Sequence, residues 1–109
     1  HCVIVEVDEH QHRGYDDRCE CSRLNEIVNG IGGKSVVIIR FNPDTTRHRG
    51  KPLPLRMGDK VDLLIDTIKE ELDREPDTFG VRIVQLYYDD FDATFHPKRE
   101  EDITDIVCI

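Results

Sequence analysis

A chain of 109 residues, 38% hydrophobic and 35% charged, is long enough for one domain with a modest core and a very polar surface. Its formal net charge of -8 argues against indiscriminate binding to nucleic acid or to an anionic membrane surface. No apolar run is long enough to span a bilayer, and the N-terminus lacks the basic-then-apolar order of a secretory signal.

The chain opens at His1 and enters a strand at once, as a domain cut from a longer protein would. Residues 2–8 read as that strand, apolar on both faces near its start, which predicts an interior position. Side chains alternate along a strand, so Val3, Val5 and Val7 share one face and Ile4, Glu6 and Asp8 the other. Two half-buried carboxylates side by side repel one another. They need a proton, a basic partner or a divalent cation. A polar loop follows, with His10, His12, Tyr15 and the breaker Gly14. Asp17 and Glu20 resemble a capping box, and Cys21, Leu24, Ile27 and Val28 recur at helical spacing to about residue 29. Gly30, Gly32 and Gly33 end the helix.

Residues 35–41 (S-V-V-I-I-R-F) form the clearest strand, β-branched and apolar on both faces. Asn42-Pro43-Asp44 turns the chain into a long basic and proline-bearing connection, residues 45–58. Asp59 is positioned to cap a second helix, whose stripe is Val61, Leu64, Ile65, Ile68 and Leu72. Residues 81–88 make a third strand, ending in Asp89-Asp90, and residues 103–109 can add a short edge strand. The expected fold is α/β, a small mostly parallel sheet in β-α-β-α-β order within a single domain.

Sites in such sheets gather at the carboxyl ends of the strands. There the first strand delivers Glu6, Asp8 and His12, the second Arg40 and Asn42, and the third Tyr87, Tyr88, Asp89 and Asp90. The third strand end reads more simply as polar residues leaving the core. Glu6 and Asp8 suit a hard cation such as Mg²⁺ (or Mn²⁺), which binds carboxylate and phosphate oxygens and lowers the pKa of a bound water. His12 would position that water, protonate a leaving oxygen or join the metal. Arg40, Arg47, Arg49, Lys51, Arg56 and Lys60 form a local basic stretch, as a phosphate backbone requires. The pairs His10/His12 and Cys19/Cys21 also invite a zinc reading. However, cysteines at i and i+2 of a helix point to nearly opposite sides. Four cysteines are few for a disulfide scaffold and read as reduced thiols, so an intracellular location, cytoplasm or nucleus, is expected.

Taken together, V-I-V-E-V-D-E-H-Q-H-R-G-Y-D, then C-E and Arg23, then V-V-I-I-R-F-N-P-D resemble nuclease-like domains of large DNA viruses and of some algal and oomycete genomes. Those domains are similar to the PD-(D/E)XK restriction-endonuclease superfamily, near the very-short-patch repair and EDxHD branch. The match is E-x-D-x-x-x-H, at Glu6, Asp8 and His12. The resemblance implies a restriction-endonuclease-like core and divalent-metal-dependent cleavage of DNA. Glu6 and Asp8 would be the metal-site carboxylates and His12 the acid or base. Arg40 and Asn42 would line the site, with Tyr15, Glu20 and Arg23 supporting it. Asp8 stands where the family usually carries lysine. The family's R-P-D aspartate lies on a strand before this one, so it would come from upstream residues or another subunit. A fragment without it would be inactive or bind metal weakly. The alternatives are a non-catalytic module on the same fold, binding nucleic acid or protein, and a small zinc-stabilised domain.

Overall fold

A computed structural model describes residues 2–9, 17–30, 35–74, 81–90 and 97–103. It is an α/β arrangement: a four-stranded sheet, mostly parallel, with one helix on each face. Strand β1 (Cys2–Val7) pairs in parallel with β2 (Val36–Phe41), and β2 in parallel with β5 (Val81–Leu86). Strand β6 (Lys98–Ile103) closes the sheet antiparallel to β5, giving the order β1-β2-β5-β6. Helix α1 (Asp17–Gly30) joins β1 to β2. Between β2 and helix α2 (Met57–Asp73) lies a small hairpin of β3 (Arg47–His48) and β4 (Lys51–Pro52).

Strand β2 is buried along all six residues, as its run of β-branched side chains requires of a central parallel strand. Alternation divides the core into two halves. Val36 and Ile38 meet Val81 and Ile83 under Leu24 and Ile27 of α1, while Val37, Ile39 and Phe41 meet Val84 and Leu86 under Leu63, Leu64 and Ile68 of α2. Ile38, Ile39, Ile83 and Leu86 are among the largest side chains fully removed from water, each contributing about 1.5–3 kcal/mol of hydrophobic free energy.

Four expectations need correction. Among the described residues β1 lies at the sheet edge rather than inside it. Its α2-side valines, Val5 and Val7, are 40% and 64% exposed. Helix α2 begins at Met57 with Arg56 as its N-cap and no side-chain cap bond. Asp59 therefore sits inside the first turn, where its charge favours the helix dipole without capping it. The helix is also rotated from the expected stripe. Lys60, Thr67 and Glu71 are buried, and Val61, Ile65 and Leu72 are exposed. Positions 60, 64, 67 and 71 follow helical spacing too, and the two charged ones are tolerated because each meets a partner. Arg82 Nη1 donates to both Glu71 oxygens at 2.5 Å, and Lys60 is bonded as described below. Finally, the added strand is the acidic segment Lys98–Ile103; residues 104–109 lie outside the described residues.

No helix of the described residues is long and apolar enough to cross a membrane.

Candidate functional site at the carboxyl edge of the sheet

On the α1 face the sheet changes from apolar to polar in one step. The row Ile4–Ile38–Ile83 is followed by the row Glu6–Arg40–Gln85. Asp8 continues the ladder, its main-chain N–H donating to Phe41 O at 2.7 Å, so its side chain falls on the face of Glu6. Glu6 and Asp8 thus share one face, as their spacing predicts. Asp8 and Arg40 are both buried.

Of the three remedies open to this acid pair, Glu6 has a basic partner. Arg23, on α1, donates from Nη1 to Glu6 Oε2 at 2.5 Å in a part-buried ion pair. The second oxygen, Oε1, is buried and accepts no hydrogen bond among the described residues. A buried carboxylate oxygen left in that state is costly, and it is the kind of acceptor a cation or an added donor would satisfy. The formal charges of Glu6 and Asp8 are matched by those of Arg23 and Arg40. Among the described residues no three His, Cys, Asp or Glu side chains gather as a metal-binding group. His12, Tyr15 and His10 lie outside the described residues. Glu20, Cys19 and Cys21 are described only as positions in α1, so the zinc reading also falls outside.

Asn42, at the end of β2, is tied into the main chain around it. It is fully buried, and its amide is engaged at both ends. Its Nδ2 donates to Tyr87 O at 2.9 Å, and its Oδ1 accepts the Asp44 N–H at 3.0 Å. Asn42 therefore shapes the turn after β2. Thr46 Oγ1 donates to the same Tyr87 carbonyl at 2.8 Å, and Tyr87 N–H donates to Pro97 O at 2.8 Å. These bonds hold Tyr87 at φ 62, a left-handed backbone unusual for a bulky residue.

Lys60 completes this polar knot. Only 3% exposed, its ammonium donates to Asp44 O at 2.7 Å and to Thr46 Oγ1 at 3.4 Å. It also lies 5.9 Å from the Phe41 ring centre and 5.1 Å from that of Tyr87. Burial lowers its pKa, against the opposing pull of Asp44 and Asp89. Burial raises that of Tyr87, helped by the negative charges of Asp59 and Asp62. The signs are opposite in their effect. Below 10.5 the unfolded chain holds the Lys60 proton longer than the folded one, so this group makes stability rise with pH. Above 10.0 the folded chain holds the Tyr87 proton longer, so stability falls as pH climbs towards the folded value. A Tyr87→Phe variant should therefore lose less of its urea midpoint between pH 10 and 11 than the parent, each relative to its own value at pH 8. Parallel profiles would remove Tyr87 from the account.

Beyond the knot, residues 47–52 form a basic projection at the same sheet edge, with Arg47, Arg49 and Lys51 exposed. Asp89 and Asp90, which in the sequence are polar residues leaving the core, anchor this projection. Asp89 Oδ1 accepts the Arg47 N–H and Asp90 Oδ1 the Arg49 N–H, both at 2.8 Å. Asp90 N–H in turn donates to Arg47 O at 2.9 Å. Nothing near residue 47 in the sequence announces partners more than forty positions away. The acid pair ends β1 and the anchors end β5, two strand spacings or about 10 Å across the sheet.

Comparison with protein-family models, with curated proteins and with solved structures finds no match.

Proposed function

We propose that the chain is a divalent-metal-dependent DNA endonuclease domain, built on a restriction-endonuclease-like core and hydrolysing phosphodiester bonds. The observation that carries this reading is the buried Glu6 Oε1, without a hydrogen-bond partner among the described residues, on the same face as Asp8 at the carboxyl edge of a parallel sheet. Carboxylate oxygens are the donors Mg²⁺ or Mn²⁺ prefers, so Glu6 and Asp8 would hold the ion. When bound, the ion supplies a water of lowered pKa and positive charge opposite the phosphate. Arg40, buried beside Glu6, would balance charge on the scissile group, and Arg23 would orient Glu6 through their ion pair. His12 would move a proton to or from the reacting oxygens.

One observation favours a second reading, a module on the same fold that binds DNA without cutting it. Arg23 already neutralises Glu6, so this carboxylate has a basic partner with no ion present. Plasmid nicking in Mg²⁺ or Mn²⁺ separates the two. Glu6→Gln and Asp8→Asn should each lower cleavage by about 10²-fold or more while the far-ultraviolet circular dichroism stays unchanged. Cleavage at parental rates in both variants would remove this site. A parent that binds DNA and never nicks it, with either metal, would leave the binding module. Metal analysis of the purified protein tests zinc at His10, His12, Cys19 and Cys21.

A further inference from the structure

The β3–β4 hairpin is built at an apparent disadvantage. Its two-residue turn places Arg49 at φ 52 and Gly50 at φ 76, the left-handed pair of a type I′ hairpin. Glycine suits the second position. The first ordinarily takes asparagine, aspartate or glycine, because a longer side chain is strained there. Here an arginine holds the apex, and the Asp90 carboxylate takes its main-chain N–H rather than its guanidinium. Asp89 treats Arg47 in the same way. Among the described residues no salt bridge engages Arg47, Arg49 or Lys51, although the whole chain carries -8. The acids thus fix the backbone of the ribbon and leave three cations on its exposed surface, Arg47 reaching the Gly50 carbonyl at 3.5 Å from Nη1.

A two-stranded ribbon is one of the few elements that fit the major groove of B-form DNA, which is about 12 Å wide. The geometry points to the hairpin of residues 47–52 as a groove-reading element. The Arg49 guanidinium at its apex would donate to the guanine O6 and N7 edge, while Arg47 and Lys51 meet the flanking phosphates. This inference rests on the reading of the chain as a DNA-binding domain and names the partner of its basic edge as duplex DNA. The deep, narrow major groove of duplex RNA excludes such a ribbon, and single strands offer no groove.

The test is fluorescence anisotropy of the full chain with a labelled 24-base-pair DNA duplex, the RNA duplex of the same sequence and one DNA strand. The informative variant is Arg49→Asn. Asparagine is at home in the left-handed position, so the urea midpoint should hold or rise while duplex-DNA affinity falls about tenfold or more. The double variant Arg47→Ala/Lys51→Ala should lower the slope of log affinity against log salt by about two. Preference for duplex DNA, with both changes, supports the proposal. Parental affinity and salt slope in these variants, equal or tighter binding to duplex RNA or to the single strand, or no binding at all, overturns it. Failure here and failure of the nuclease reading are distinguishable. Nicking that persists while Arg49→Asn binds like the parent removes the hairpin's role alone. Hairpin-dependent binding with no nicking by the parent removes catalysis alone.

Discussion

Arg82→Met should destabilise the fold by about 3–5 kcal/mol, the range for breaking one side of a buried ion pair. Arg82 and Glu71 have side chains only 9% and 6% exposed, and one guanidinium nitrogen meets both carboxylate oxygens. Methionine fills much of the volume and leaves the Glu71 carboxylate in the apolar layer between α2 and the sheet. For a small domain whose total stability is about 5–15 kcal/mol, that loss is a large part of the whole. The double variant Arg82→Met/Glu71→Leu removes the buried carboxylate as well and should recover most of it, since apolar replacements of buried pairs are often neutral or stabilising. Urea unfolding of the parent, the single and the double variant measures both. A double variant as unstable as the single would show that shape, not charge, sets the cost.

Asn42→Leu should cost about 2–4 kcal/mol. The substitution removes a donor from the Tyr87 carbonyl and the side-chain acceptor of the Asp44 N–H, at a position with no exposure to water. It also releases the left-handed Tyr87 from one of the bonds that hold it. Thr46→Val, which takes away the second donor to Tyr87 O and the long 3.4 Å bond from Lys60, should cost about 1–2 kcal/mol. Hydrogen exchange of the main-chain amides of residues 44–53 would report the difference directly. Equal protection in Asn42→Leu and the parent would mean that the turn after β2 is held by other contacts.

The parts of the fold visible in the sequence are those with a strong apolar period. Residues 2–7, 36–41 and 81–86 are short apolar runs, and Leu24 and Ile27 mark the buried side of α1 at helical spacing. What stayed hidden depends on partners distant in sequence. The hairpin holds no apolar run and no Asn-Gly; its main chain is fixed by Asp89 and Asp90. The orientation of α2 follows from Lys60 meeting Asp44 and Thr46 and Glu71 meeting Arg82, which no hydrophobic stripe encodes. Strand β6 is acidic and pairs because β5 offers it a ladder. Within the site, the shared face of Glu6 and Asp8 was legible from alternation. That Arg23 is the partner of Glu6 was not legible from the residues alone, because the two meet only when α1 folds back over the sheet.

The two faces of the sheet divide the labour. The acid pair and its arginines belong to the layer shared with α1, whereas the hairpin is anchored by Asp89 and Asp90 past the end of β5, next to the knot that Lys60 of α2 completes. Phe41, whose carbonyl holds the Asp8 N–H and whose ring faces Lys60, is a residue that adjoins both regions, but substitutions about 10 Å apart usually add. Grip and cutting should therefore be separable by mutation. A lineage of such chains has room to retune where it lands on a polymer without disturbing what it does there, and equally to lose the chemistry and keep the hold.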